Sequence, residues 1–357
     1  MLKPGANLFM VDLEGPELSE MERKIVQHPL VGSIILFTRN FINLLQLEQL
    51  INSIRAINPE IFIAIDHEGG VVQRFQRQGF RALPAARVYG DTYDLDPETG
   101  IRLARTYGEL MANDLVAHGI DLSIAPVLDV HDNNLVIARL DRAFHHDPDV
   151  IALLAGAFIE GMNAAGMPAV GKHFPGHGSV TSDSHIAMPV SHASMDELKA
   201  KDLKPFIKLI ENNSLNALMP AHVTYTAIDA NKPAGFSSIW LQEILRKQLH
   251  FKGLVLSDCL SMTGADIGDL KTRVEEALHA GCDMLIVCHQ PRELLLALLN
   301  DLTTEQSSES AARIVAFKSR MNRFSKSKRA HQLKIKKSHD AGTTISPNSK
   351  LNTTTTI

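Results

Sequence analysis

A chain of 357 residues, 45% apolar and 21% charged, has ordinary globular proportions and can bury a sizeable core, which excludes a disordered or collagen-like chain. No run approaches the roughly 18–20 uninterrupted apolar residues of a membrane span, and Met1–Gly5 starts no secretory signal, so a cytoplasmic protein without membrane insertion is expected. The net charge of −4 is uneven: residues 311–357 hold 11 Lys and Arg against one acid, Asp340, while the first 310 hold 25 against 39, a net −14 that speaks against a nucleic-acid partner.

In chain order, eight short apolar runs end in polar residues or Gly/Pro: Asn7–Val11, Gly32–Phe37, Ile61–Ile65, Gly119–Ala125, Ala169–Lys172, Ala217–Pro220, Gly253–Leu256 and Cys282–Cys288. Between them lie segments of helical spacing such as Leu44–Ile54, Thr99–Ala117, Asp149–Ala165, Met195–Glu211, Ile239–Gln248 and Thr272–Ala280. Glycines 119, 166, 253 and 281 stand just before the next strand, as a turn after a helix C-terminus requires. Alternating strands and helices predict a parallel sheet covered by helices, and eight units in this length match a single (β/α)₈ TIM-type barrel over 1–325. An open doubly wound sheet would carry a glycine fingerprint after its first strand, and Asp12-Leu13-Glu14-Gly15-Pro16 is not one. The basic, Thr/Ser-rich stretch 326–357 reads as a flexible, solvated tail on composition.

A barrel gathers its chemistry at the C-terminal strand ends. The polar residues there are Asp12, Thr38-Arg39, Asp66-His67-Glu68, Asp129, Lys172-His173, His222, Asp258 and His289. Each alone suits a cap or an ion pair, but their recurrence at one end of successive strands is harder to explain that way. In Ile63–Arg74, Gly69-Gly70 allow a tight turn, and Asp66 with Arg74 fits either a polyol ligand or a surface ion pair. Residues 171–185 hold Lys172, His173, His177, Asp183 and His185. His173 and His177 have metal-ligand spacing only on a helix, which Pro175-Gly176 argue against. Asp183-x-His185 suits a carboxylate that orients an imidazole and tunes it for proton transfer near neutral pH. Asp258 follows a strand and fits a nucleophile at the rim or a helix cap. Arg142 fits a ligand clamp or a partner for Asp141 or Asp147. Cys259, Cys282 and Cys288, odd in number and without CxxC spacing, fit reduced thiols.

Together, Ile65-Asp66-x-Glu68-Gly69-Gly70-x-Val72-x-Arg74, Ala125-Pro126-Val127-Leu128-Asp129-Val130, Lys172-His173-Phe174-Pro175-Gly176-His177-Gly178 with Asp183-Ser184-His185, and Ser257-Asp258-x-Leu260-x-Met262 resemble the family 3 glycoside hydrolases, specifically the bacterial single-domain β-N-acetylglucosaminidases of peptidoglycan recycling. The resemblance covers about residues 5 to 290. It implies a retaining hydrolase that removes terminal β-1,4-linked N-acetylglucosamine from 1,6-anhydro-N-acetylmuramic acid, with or without peptide. Asp258 would be the nucleophile and His185 the general acid/base, oriented and tuned by Asp183. Asp66, Arg74, Arg142, Lys172 and His173 would bind the terminal sugar. No metal or cofactor is implied, and a monomer acting on a small amino-sugar substrate is expected. The chain departs from the family pattern at Cys259, often acidic in relatives, at Ala143, often serine, and in its tail. Lyase or metal-hydrolase chemistry, a binding protein without catalysis, and a β-glucosidase or β-xylosidase are the rival readings. The last usually carries a second domain that supplies its acid/base.

Overall fold

The computed structural model describes residues 7–132, 136–180, 189–302 and 306–321; the 326–357 tail lies outside them. Eight parallel strands form the centre: β1 (Phe9–Asp12), β2 (Val31–Leu36), β3 (Phe62–Ile65), β4 (Leu122–Ser123), β5 (Val170–Phe174), β6 (Ala217–Pro220), β7 (Leu254–Val255) and β8 (Leu285–Val287). Each overlaps one of the eight apolar runs. Two ladders result, β8–β1–β2–β3–β4 and β5–β6–β7. Single parallel bridges join them, Val127 to Lys172 on one side and Leu256 to Met284 on the other. The amides of Val170 and Leu128 reinforce the first by donating to the carbonyls of Ala125 and Lys172. The ring is therefore closed, which excludes the open sheet.

The two-residue alternation of a strand decides which side chains fill the barrel. Met10, Ile35, Phe62, Ala64, Ile124, Val170, Met219 and Ile286 belong to one buried cluster, while their neighbours Phe9, Val11, Ile34, Leu36, Ile63 and Ile65 belong to another that faces the helices. A last helix, 308–321, closes the floor: Ile314, Phe317 and Met321 join the interior cluster, with the Phe317 ring 6.4 Å from that of Phe62.

The outer layer runs α1 (Glu20–Gln27), α2 (Leu44–Ile57), α3 (Ala86–Leu95), α4 (Pro97–Ala117), α5 (Pro148–Ala164), α6 (Met195–Ala200), α7 (Lys204–Glu211), a π-wound helix at Ile239–Gln248, α8 (Leu270–Ala280) and α9 (Arg292–Asp301). The helical stretch expected over Met195–Glu211 is two helices. Lys201 leaves helical geometry (φ −130°, ψ −87°), and Pro205, which lacks an amide hydrogen, sits in the first turn of α7. Gly281 ends α8 in the left-handed region at φ +118°, as expected of a glycine after a helix. Gly253 serves differently: a Cβ there would lie 2.5 Å from the Asn216 carbonyl oxygen, so close backbone packing requires it.

Candidate active site

A cavity of about 400 Å³ opens at the C-terminal strand ends, walled by Asp66 and Glu68 after β3, Lys172 and His173 of β5, Asp258 after β7, and Cys288 and His289 after β8. In a regular strand Lys172 and His173 would point to opposite faces. The register of β5 against β6 slips between Lys172 and Phe174, and both side chains reach the cavity.

One wall is a network of opposite charges. Lys172 Nζ donates to Asp66 Oδ1 at 3.1 Å and lies 2.7 Å from Glu68 Oε1. Arg74 donates to Asp66 Oδ2 at 3.0 Å. Arg142 forks onto Glu68, its Nη2 2.8 Å from Oε1 and its Nε 2.9 Å from Oε2. Arg142 thus reaches neither Asp141 nor Asp147, the partners weighed from sequence, but a carboxylate 74 residues away. Burial alone would raise both carboxylates, yet the cations win. Lys172 and Arg74 hold Asp66 well below the usual carboxylate range, and Arg142 and Lys172 bring Glu68 down to about 2. Burial pulls Lys172 and Arg142 the other way, but their carboxylate partners keep both firmly protonated. Such a wall offers fixed acceptors and fixed donors to a hydroxyl-rich ligand.

Asp129, fully buried, organises the next segment. Its Oδ2 accepts from His173 Nδ1 at 2.7 Å, and its Oδ1 accepts from the amides of His173 (3.1 Å) and His177 (2.7 Å). Burial opposes ionisation there too, but the neighbouring His173 brings Asp129 down to about 2. A carboxylate can only accept, so His173 carries its proton on Nδ1. The ring of His177 lies 6.1 Å from that of His173, and burial lowers its pKa. Among the described residues no three His, Cys, Asp or Glu side chains are grouped to hold a metal.

Asp258 stands in the cavity wall, its Oδ1 accepting from the Cys259 amide at 2.7 Å. It does not cap the following helix: Asp269 is the N-cap of α8. His222, 1% exposed and stacked on Phe236, donates through Nε2 to the Cys259 carbonyl at 3.2 Å. Burial lowers its pKa, so this prop is a neutral ring near pH 7.

Asp66, Arg74, Arg142, Lys172, His173 and Asp258 are thus brought together. Asp183 and His185 lie outside the described residues. Three strand-end residues belong to the scaffold: Asp12 accepts from Arg39, from Arg292 Nη1 at 2.9 Å and from the His289 amide at 3.0 Å, and Thr38 donates to the Arg74 carbonyl at 3.1 Å. Glu68 and Asp129 were not singled out as binding residues from sequence, although both sit inside the quoted motifs; their weight comes from partners far along the chain.

The chain is 49% identical to a beta-hexosaminidase of Thioalkalivibrio sulfidiphilus over 308 residues, 85% of this chain and 87% of that one. It is 50% identical to a beta-hexosaminidase of Pseudomonas aeruginosa over 298 residues, 82% and 86%. Among solved structures it resembles NagZ from Neisseria gonorrhoeae in complex with N-trifluoroacetyl-D-glucosamine, at 42% identity and a TM-score of 0.80 over 88% of this chain and 89% of that one. It also resembles the beta-N-acetylhexosaminidase of Beutenbergia cavernae, at 26% identity and a TM-score of 0.75 over 88% and 97%. Residues 3–321 match the Glycosyl hydrolase family 3 N terminal domain, and the chain, a glycoside hydrolase on a TIM-type barrel, belongs to that family.

Proposed function

We propose that the protein is a retaining exo-β-N-acetylglucosaminidase that releases terminal β-1,4-linked N-acetylglucosamine from cell-wall fragments, GlcNAc-1,6-anhydro-MurNAc with or without peptide, during cytoplasmic peptidoglycan recycling. The observation that carries the reading is the division of labour among the cavity's described carboxylates. Asp66 and Glu68 are each locked onto two cations and held ionised. They are suited to binding hydroxyls and unsuited to giving up a proton. Asp258 faces the same cavity with its Oδ1 held by the Cys259 amide, and it is assigned the role of nucleophile.

Asp258 attacks the anomeric carbon as the bond to the leaving oxygen breaks, and His185 gives that oxygen its proton. His185 then takes a proton from water, which releases the sugar from Asp258. Asp183 orients the imidazole and raises its basicity, so the acid/base adds no further negative charge next to the nucleophile. Arg74, Arg142, Lys172 and His173 donate to the sugar's hydroxyls and N-acetyl group, and Asp66 accepts. The likeness to beta-hexosaminidases and to NagZ in complex with N-trifluoroacetyl-D-glucosamine supports the sugar. Among the described residues no helix is long and apolar enough to cross a membrane.

The test is release of p-nitrophenol from its β-N-acetylglucosaminide, with the β-glucoside as control. Asp258→Ala is expected to lower kcat by at least about 10³-fold with the fold intact; full activity would remove the nucleophile assignment. His185→Ala is expected to slow the natural disaccharide about 10²-fold or more while sparing the activated aryl substrate. Equal losses on both would count against the acid role, and preference for the glucoside would move the substrate.

A further inference from the structure

The three cysteines are free thiols in unlike settings. Cys282 is buried and directs its sulfur to the Gly235 carbonyl at 3.6 Å, and burial pushes its thiol far up, which makes it inert. Cys259 and Cys288 stand at the ends of neighbouring strands. Leu256 of the β7 side bridges to Met284, and the Leu260 amide donates to the Ile286 carbonyl at 2.9 Å. This register delivers both side chains to the same stretch of cavity wall. Cys259 packs against the interior cluster that contains Cys288, and both residues line the same cavity. Cys288 is 2% exposed, whereas Cys259 is half-buried and meets the cavity solvent first.

We propose that Cys259 and Cys288 form a modification site, a dithiol that a hydroperoxide oxidises to a disulfide and that thereby switches off the Asp258 site. The Cys259 thiolate attacks one oxygen of hydrogen peroxide and the O–O bond breaks, leaving a sulfenic acid and, after protonation of the hydroxide, water. The Cys288 sulfur then attacks the sulfenic sulfur, the S–S bond forms, and the hydroxyl leaves with the Cys288 proton as a second water. Two thiols lose two electrons and one peroxide becomes two waters. The neighbouring Cys288 thiol lowers the pKa of the Cys259 thiol, against burial and the charge of Asp258, which favours Cys259 as the attacking sulfur. The switch follows from the backbone: the Cys259 amide supports Asp258 Oδ1 and its carbonyl is held by His222. Drawing the Cys259 side chain onto β8 shifts both supports at once.

The full chain is treated with hydrogen peroxide and followed by intact mass, peptide mapping and turnover of the aryl substrate, before and after dithiothreitol. The expected result is loss of two hydrogens, a linked peptide pair containing Cys259 and Cys288, a Cys282 that still takes up alkylating reagent on unfolding, and a roughly tenfold fall in turnover that dithiothreitol restores. Cys288→Ser should yield no linked pair but a Cys259 sulfenic acid trapped by dimedone. Cys259→Ser, at the half-buried position, should lose both the link and the reversible inactivation, each variant being compared with its own untreated sample. No Cys259–Cys288 peptide in the unsubstituted chain, a link without loss of turnover, or reversible inactivation that persists in Cys259→Ser would overturn the proposal. The mass readout stands whatever sugar the enzyme cleaves.

Discussion

Glu68 shows how much one side chain can be asked to do. It is 9% exposed and meets both Arg142 and Lys172. Removing its charge leaves two buried cations facing an amide, so Glu68→Gln is expected to cost about 3 kcal/mol in urea unfolding at neutral pH. The pH dependence has a definite sign. The folded carboxyl sits at about 2, below its ordinary 4.5, so its contribution is complete above the ordinary value and is lost as pH falls through the folded one. Wild type should therefore lose stability on acidification from about pH 5 towards pH 2, and Glu68→Gln should lose less over that window. Parallel curves would show that this carboxylate is not linked to folding.

The helices rest on short signals that are easily passed over. Ser19 accepts from the Glu22 amide at 3.2 Å while Glu22 Oε2 accepts from the Ser19 amide at 2.9 Å, the reciprocal cap that starts α1. Ser19→Ala should cost about 1 kcal/mol by denaturant titration without altering the cavity. That Ser-x-x-Glu signature was present in the sequence, yet α1 is not among the helices named from periodicity, because its eight residues hold only a few apolar positions. The strands were legible for the opposite reason: a strand covered on both faces is a near-continuous apolar run, as in Phe62–Ile65 and Leu285–Val287. Asp66, Lys172 and Asp258 were legible as charges at the ends of such runs. What they touch was not. The join of Arg142 to Glu68 spans 74 residues and that of His173 to Asp129 spans 44, distances over which spacing carries no information. The break between α6 and α7 was signalled by Pro205 within a stretch whose helical spacing masked it.

The whole barrel depends on a buried carboxylate far from the cavity. Asp283, 1% exposed, accepts from the Val255 amide at 2.9 Å, from Arg246 Nη2 at 2.9 Å and from Arg313 Nη2 at 2.9 Å. It ties β7, the π-wound helix and the 308–321 helix to one point. Asp283→Ala should lower unfolding free energy by about 3 kcal/mol or more while leaving KM for the aryl substrate unchanged. A raised KM would show that the floor of the barrel communicates with its mouth.

The two bridges that complete the ring acquire another meaning beside the cavity. Lys172 is itself half of the first bridge, and Asp258 lies two residues beyond Leu256 in the second. Two residues of the proposed site thus lie along the seams where the two ladders meet, each seam marked by a single parallel bridge. A sugar that touches Lys172 on one side and Asp258 on the other reaches from seam to seam, and so acts as a clasp across them. On the proposed reading, ligand binding adds contacts across both seams, and the resistance of the enzyme to unfolding is expected to rise with substrate concentration.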